Sequence, residues 1–218
     1  MPRNDLTDIT LVLDRSGSMA AVRESTITAF NEFLRSQRAA AGSARMTLVQ
    51  FDNQYELLYE DVPIDRAKEL NANTFVPRGS TALLDAMGRT IINTGNRLAA
   101  LPEADRPGTV LFVTLTDGYE NSSREFNLSR INAMIAEQRD TYSWEFVFLA
   151  ANQDAIATAA QMGISADQAL TFASSDAGMQ ASFDAVNSQV SNMRKRRAAG
   201  EACAPIAFTP KQRKKARG

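Results

Sequence analysis

An apolar run followed by Asp14, Ser16 and Ser18 carries the residue types of a divalent-cation site. The run covers residues 9–13, and the three polar residues alternate along the loop that follows it. Carboxylate and hydroxyl oxygens are hard ligands, which Mg²⁺ prefers over nitrogen and sulfur donors. Serine and aspartate ahead of a helix also cap free backbone N–H groups, so this loop alone is explained equally well by helix capping.

Two later segments add the oxygen ligands that one loop lacks. Thr81 opens a helical stretch, and Asp117 with Gly118 follows a second apolar run over residues 110–115. Two carboxylates would neutralise a dication and leave it a position for one carboxylate from another molecule. We therefore predict a site for Mg²⁺, with Mn²⁺ or Ca²⁺ as the alternative ions, made by Asp14, Ser16, Ser18, Thr81 and Asp117.

The order Asp14-x-Ser16-x-Ser18, then Thr81, then Asp117-Gly118 resembles the metal-ion-dependent adhesion site (MIDAS) of von Willebrand factor A (VWA) domains. All five ligand positions of the family pattern are filled. The resemblance covers roughly residues 5 to 175 and implies a bacterial or phage-type intracellular VWA protein. It further implies an adaptor or regulatory subunit, without catalysis, whose protein partner presents Asp or Glu to the ion.

The same resemblance implies that residues around the ion select the partner. Arg15 and Tyr119 stand beside the ligands in the sequence, and we expect both to face solvent at this rim. Tyrosine and arginine are enriched at binding hot spots, which favours them as contact residues. Glu120 is a weaker candidate of the same kind.

Apolar runs alternate with stretches of helical periodicity, which predicts an α/β fold with a doubly wound, mostly parallel open sheet and helices on both faces. Strands are predicted over residues 9–13, 46–51, 55–59, 110–115, 144–150 and 169–172, the third being a short antiparallel edge strand. Helices are predicted over residues 20–38, 81–100, 128–139, 154–162 and 177–197, with a short helical turn within 63–70. In such sheets ligands bind beyond the carboxyl ends of strands where the strand order reverses.

The composition argues against most enzymatic readings. The chain has no histidine, which removes Ser-His-Asp and Cys-His catalysis and the usual general base near neutral pH. The enzymatic alternative is a Mg²⁺-dependent phosphoryl-transfer protein of the haloacid-dehalogenase type. That chemistry needs a second aspartate two residues after the first, and position 16 is a serine.

Compartment and membrane character follow from the same composition. Cys203 is the single cysteine, so an intrachain disulfide cannot form. We expect no membrane span, because no run approaches the roughly 20 apolar residues that one requires. The first residues carry no apolar segment typical of a signal peptide, so a cytoplasmic location is predicted.

The basic residues are concentrated near the end of the chain. Nine of the 24 Lys and Arg residues lie beyond Met193, where Glu201 is the only acid. We predict a VWA domain over residues 1–197 and a flexible basic tail over residues 198–218. A solvated tail is favoured. A nucleic-acid-associated subunit that uses this tail remains an alternative, although Phe208 is the only aromatic residue there for stacking on bases.

Overall fold

A mostly parallel sheet of six strands forms the centre of the computed structural model, which describes residues 1–151 and 155–218. The strand order is β3-β2-β1-β4-β5-β6, and all neighbouring pairs run parallel except β2 and β3. This confirms the predicted doubly wound sheet with its antiparallel edge strand. The strands are β1 (Arg3–Asp14), β2 (Ser43–Phe51), β3 (Tyr55–Pro63), β4 (Pro107–Thr116), β5 (Glu145–Ala151) and β6 (Ala169–Phe172).

The central strand β1 is longer than its apolar run predicts. It is buried from Leu6 to its end and pairs with β2 on one side and β4 on the other. The additional length includes Asp8, which is only 2% exposed and lies 2.9 Å from the guanidinium of Arg97. Burying an unpaired carboxylate is costly. Because Arg97 pairs with Asp8, the strand continues through this polar residue.

Helices cover both faces of the sheet. Buried side chains of α1, α5 and α6 form one apolar cluster with the sheet, and those of α2, α3 and α4 form another. Strand–helix alternation therefore gives the layered arrangement that the sequence predicts. The helices are α1 (Arg23–Ala39), α2 (Leu83–Ala99), α3 (Leu128–Tyr142), α4 (Ala155–Gln161), α5 (Asp176–Ala198) and α6 (Pro210–Arg217).

Two helical predictions differ from the structure, and one predicted boundary lies outside the described residues. The first predicted helix begins as a 3-10 turn over Gly17–Val22 and becomes α-helical at Arg23. The segment 63–70 forms a turn, in which two backbone N–H groups donate to the Pro63 carbonyl, and not a helix. The predicted start of α4 at Asp154 lies outside the described residues.

The prediction of a flexible tail over residues 198–218 is corrected by the packing of this segment. Ile206, Phe208 and Ala216 are buried in the cluster formed with α1 and α5. Arg213 donates to the carbonyl oxygens of Ala166 and Ala169, both at 2.7 Å. The high charge suggests a solvated segment, but three apolar side chains and one inward-facing guanidinium fix residues 206–217 on the body.

Arg194 joins the carboxyl end of α1 to α5. It is 1% exposed, and it donates to the backbone and side-chain oxygens of Gln37 and to the backbone oxygen of Gly42. Carbonyl groups at the end of a helix lack intrahelical hydrogen-bond donors, and the Arg194 guanidinium donates to these groups instead.

No helix within the described residues is long and apolar enough to cross a bilayer.

Candidate metal centre

The predicted ligands meet at the edge of the sheet where the strand order reverses. Asp14 is the last residue of β1, and Asp117 follows the last residue of β4. These two strands are neighbours, so their carboxyl ends lie side by side. The start of α2 brings Thr81 to the same edge. Parallel strands and a short loop therefore position residues that are up to 103 positions apart in the chain.

Asp14 is held in one orientation by two hydrogen bonds. Its Oδ1 accepts from the backbone N–H of Ser16 at 2.6 Å, and its Oδ2 accepts from the hydroxyl of Thr116 at 2.5 Å. The side chain is fully buried, and this burial raises the pKa of the Asp14 carboxyl to about 6. Such a carboxylate is destabilised in its charged form, and a bound cation would offset that cost.

The two serines link the first loop to the second carboxylate. The hydroxyl of Ser18 donates to Asp117 Oδ1 at 2.5 Å and lies 3.1 Å from the hydroxyl of Ser16. Burial raises the pKa of the Asp117 carboxyl above its ordinary value. Three polar side chains from two loops are thus in contact, and Ser18 is the one that remains exposed.

Thr81 completes the cluster from the side of α2. A methyl group placed on Gly118 would lie 3.0 Å from the Thr81 hydroxyl, 3.5 Å from that of Ser18 and 3.7 Å from that of Ser16. Three hydroxyl oxygens therefore surround one point beside Gly118. Asp117 is joined to Ser18 by a hydrogen bond, and Asp14 accepts from the N–H of Ser16.

This donor set fits a hard divalent cation. Three hydroxyl oxygens and two carboxylates match the ligands of Mg²⁺, and the two negative charges balance the ion. Within residues 1–151 and 155–218, no group of three or more His, Cys, Asp or Glu side chains forms an alternative metal cluster. The position beside Gly118 is therefore the candidate metal centre of the described chain.

Backbone hydrogen bonds hold the three segments against one another. The N–H of Gly17 donates to the carbonyl of Gly79 at 3.1 Å, and the N–H of Arg78 donates to that of Arg15 at 2.8 Å. Gly79 has φ of +68°, a conformation that favours glycine. The loop before α2 therefore braces the loop that carries the serines.

Thr81 is fixed by the loop that follows Asp117. Its N–H donates to the side-chain oxygen of Asn121 at 2.9 Å, and its carbonyl accepts from the Asn121 N–H at 3.0 Å. Thr81 and Asp117 therefore belong to one braced unit. Asn121 and Thr116 are positioning residues, and sequence reasoning gave no such role to Thr116, since an isolated polar residue at a strand end carries no distinctive signal.

Arg15 does not face solvent, which corrects its predicted place at the rim. It is 5% exposed, with Nη1 at 2.5 Å from Glu56 and Nε at 3.2 Å from Asp52. Successive side chains at a strand end point in opposite directions. Because Asp14 turns toward the metal centre, Arg15 turns away from it, toward the loop between β2 and β3.

The other two predicted rim residues, Tyr119 and Glu120, differ in their exposure to solvent. Tyr119 is 66% exposed, as expected. Glu120 is half-buried and accepts hydrogen bonds from the backbone N–H groups of Leu84 and Ser123 at 2.9 and 2.7 Å, so its carboxylate caps the start of α2. Sequence reasoning did not single out Arg78. Its side chain, which ends in a guanidinium group, is 53% exposed.

The sheet order and the helices on its two faces are the fold of VWA domains, and solved structures of this class match the chain over most of its length. The vWF domain of the type V pili tip protein Mfa5 from Porphyromonas gingivalis matches with a TM-score of 0.57 and 12% identity, over 92% of this chain and 98% of that one. No family model and no curated protein matches the chain.

A second solved structure of similar fold is that of proximal thread matrix protein 1 (PTMP1) from the mussel byssus. It matches with a TM-score of 0.56 and 17% identity, over 94% of this chain and 48% of that one. Another structure of PTMP1 has a zinc-occupied MIDAS motif and matches with a TM-score of 0.55 and 18% identity, over 93% of this chain and 48% of that one. The chain thus spans about half the length of the mussel protein, and at these identities the likeness shows the fold alone.

Proposed function

We propose that this chain is a metal-dependent protein-interaction module that binds a partner's carboxylate through a divalent cation at Asp14, Ser16, Ser18, Thr81 and Asp117. The observation that carries the proposal is the convergence of hydroxyls and carboxylates from three separate segments beside Gly118. In the cell the module acts as an adaptor or regulatory subunit. Its proposed location is the cytoplasm, which the single cysteine supports.

A bound cation supplies an electrophilic position that one oxygen of a partner Asp or Glu can occupy. Asp14 and Asp117 balance the charge of the ion, and the hydroxyls add ligands without adding charge. Mg²⁺ is the proposed ion because the donors are all oxygen. The zinc-occupied MIDAS of PTMP1 supports a divalent ion at this place in the fold.

The proposal assigns binding without catalysis. Ser16 occupies the position where phosphoryl transfer of the haloacid-dehalogenase type requires an aspartate. The Ser16 side chain instead lies 3.1 Å from the hydroxyl of Ser18. Position 16 therefore offers a hydroxyl ligand where that chemistry needs a carboxylate to act as acid or base.

Titration calorimetry tests the metal centre directly. We expect the purified protein to bind one equivalent of Mg²⁺ or Mn²⁺, and we expect Asp14→Ala to abolish this binding. Thr28→Ala, on the exposed side of α1, is the control and should bind as the unchanged protein does. If the Asp14→Ala variant binds the metal as well as the unchanged protein does, the ion does not bind at the proposed site.

Affinity capture from a native lysate tests the binding function. A partner should be retained with Mg²⁺ and released by a chelator, and its retention should fall at least tenfold with Thr81→Ala, because loss of a buried charged contact costs about 2 to 5 kcal/mol. Thr28→Ala should retain the partner. If the amount of partner retained is unchanged by the chelator and by Thr81→Ala, binding uses another surface.

A further inference from the structure

Arg78 lies directly beside the loop that carries the serine ligands. Its backbone N–H donates to the carbonyl of Arg15 at 2.8 Å, and its neighbour Gly79 accepts from the N–H of Gly17 at 3.1 Å. Thr81 follows only three positions later. Since consecutive Cα atoms are about 3.8 Å apart, the Cα atoms of Arg78 and Thr81 are separated by at most about 11 Å.

The guanidinium of Arg78 is fixed along one edge. Its Nε lies 2.8 Å from Asp52 Oδ2, and its Nη2 donates to Gln54 Oε1 at 3.1 Å. Asp52 is fully buried, whereas the Arg78 side chain is 53% exposed. An arginine held in this way presents the rest of its planar donor fork to solvent and loses less conformational freedom when it binds an anion.

The contact with Asp52 does not use the whole of this arginine. Arg78 donates the hydrogen bond to Asp52 Oδ2, while the buried Arg15 lies 3.2 Å from the same atom and 2.5 Å from Glu56. The contacts with Asp52 and Gln54 engage Nε and Nη2 of the Arg78 guanidinium. Its remaining edge belongs to a half-exposed side chain on the segment that leads to Thr81.

We propose that Arg78 binds a second carboxylate of the partner, so that the site recognises an acidic segment and not a single acid. This inference rests on the proposed function: one acid reaches the cation and the other reaches Arg78. In an extended segment, side chains two positions apart point the same way and are about 7 Å apart, which is within the upper limit of about 11 Å between the Cα atoms of Thr81 and Arg78. The expected partner motif is Asp or Glu, one intervening residue, then Asp or Glu.

Selection from a random peptide library displayed on phage tests this motif. The library is selected in millimolar MgCl₂ on the unchanged protein, on Arg78→Gln and on Arg66→Gln. Arg66 is also exposed, but it follows β3 at the opposite edge of the sheet, so its variant carries the same change of charge away from the site. Magnesium titration of each variant checks that the metal centre is intact.

We expect the unchanged protein and Arg66→Gln to select peptides with two acids, and Arg78→Gln to select peptides with one. A second measurement needs no protein variant: replacing the second acid of a selected peptide by its amide should weaken binding about fivefold, in line with an exposed ion pair. On Arg78→Gln the same replacement should change binding little, as expected when both changes remove one contact.

The outcomes separate this inference from the proposed function. Magnesium-dependent peptides that carry a single acid on the unchanged protein would overturn the role of Arg78 and leave the metal-dependent function standing. A second acid that survives selection on Arg78→Gln would do the same. If no peptide depends on magnesium with any of the three proteins, the proposed function itself fails, and the role of Arg78 fails with it.

Discussion

A hydroxyl oxygen from each of Ser16, Ser18 and Thr81 lies within 3.7 Å of the place where a side chain on Gly118 would begin. This arrangement explains the residue type at position 118. Any side chain would occupy the space between the hydroxyls, which is the space that the proposed cation needs. Glycine leaves this space open, as happens where a backbone approaches a ligand closely.

At this scale we predict that Gly118→Ala lowers the affinity for Mg²⁺ at least tenfold, although it removes no ligand. The added methyl would stand 3.0 Å from the Thr81 hydroxyl and displace it. Gly95→Ala is the matched control, because a methyl there meets nothing within 4 Å, and it should stabilise α2 by about 0.5 to 1 kcal/mol. Calorimetry that finds equal Mg²⁺ affinity for both variants would place the ion elsewhere.

The sequence predicts the ligand residues but not the residues that position them. Asp14 and Asp117 are recognisable because each follows an apolar strand, and aligned strand ends bring them together. Arg15 has the same sequence environment, yet its direction depends on Asp52 and Glu56, which are supplied by the loop after β2 and by β3. Contacts between distant segments are not encoded in local spacing.

At the scale of elements, the last segment of the chain covers the outer side of β6. The N–H of Phe208 donates to the carbonyl of Asp167 at 2.9 Å, and the carbonyl of Ala216 accepts from Ala173 at 2.8 Å. A short strand with an open edge is a site for unwanted pairing, and this cover protects it. This covering role is not evident from the sequence, because the few apolar residues of the segment lie among many charged ones.

We predict that Phe208→Ala lowers the free energy of unfolding by about 3 kcal/mol, the lower end of the range for a buried phenylalanine. Lys211→Ala, on the exposed side of α6, should stay within about 0.5 kcal/mol of the unchanged protein. Denaturant unfolding monitored by circular dichroism gives both values. Two equal and small changes would mean that this segment contributes nothing to the fold.

A second element-scale prediction concerns the junction of α1 and α5. Arg194→Ala leaves the carbonyls of Gln37 and Gly42 without their donor, and unsatisfied buried groups cost about 1 to 3 kcal/mol each. We expect a loss of at least about 2 kcal/mol in denaturant unfolding. The neighbouring Lys195→Ala removes an exposed charge and should be nearly neutral. If Arg194→Ala leaves the free energy of unfolding unchanged, apolar packing alone stabilises this junction.

For the molecule as a whole, the proposed cation binding should be coupled to folding through the buried carboxylates. At a metal concentration about 100-fold above Kd, binding should add about 2.7 kcal/mol to the free energy of unfolding. We therefore expect Mg²⁺ to raise the melting temperature and a chelator to lower it again.

Asp14→Asn is the informative variant for this coupling. It keeps the size of the side chain, and its amide oxygen can accept from the Ser16 N–H while its NH2 donates to the Thr116 hydroxyl, which can itself donate to the Gly118 carbonyl. The substitution removes a charge that burial disfavours. Without metal it should melt at or above the temperature of the unchanged protein, and magnesium should have no effect on it. A variant that still responds to magnesium would contradict the coupling through Asp14.

The direction of β1 determines how the site can be presented from a support. The strand is 12 residues long, and at about 3.3 Å per residue it separates the first residues from Asp14 by about 40 Å. The last residues lie instead near the end of β6, at the same edge of the sheet as the cation ligands, because Ala216 bonds to Ala173. An anchor on Met1 would therefore hold the ligand-binding edge outward, whereas an anchor on Gly218 would crowd it, so attachment through the first residue is the orientation in which an immobilised molecule stays accessible.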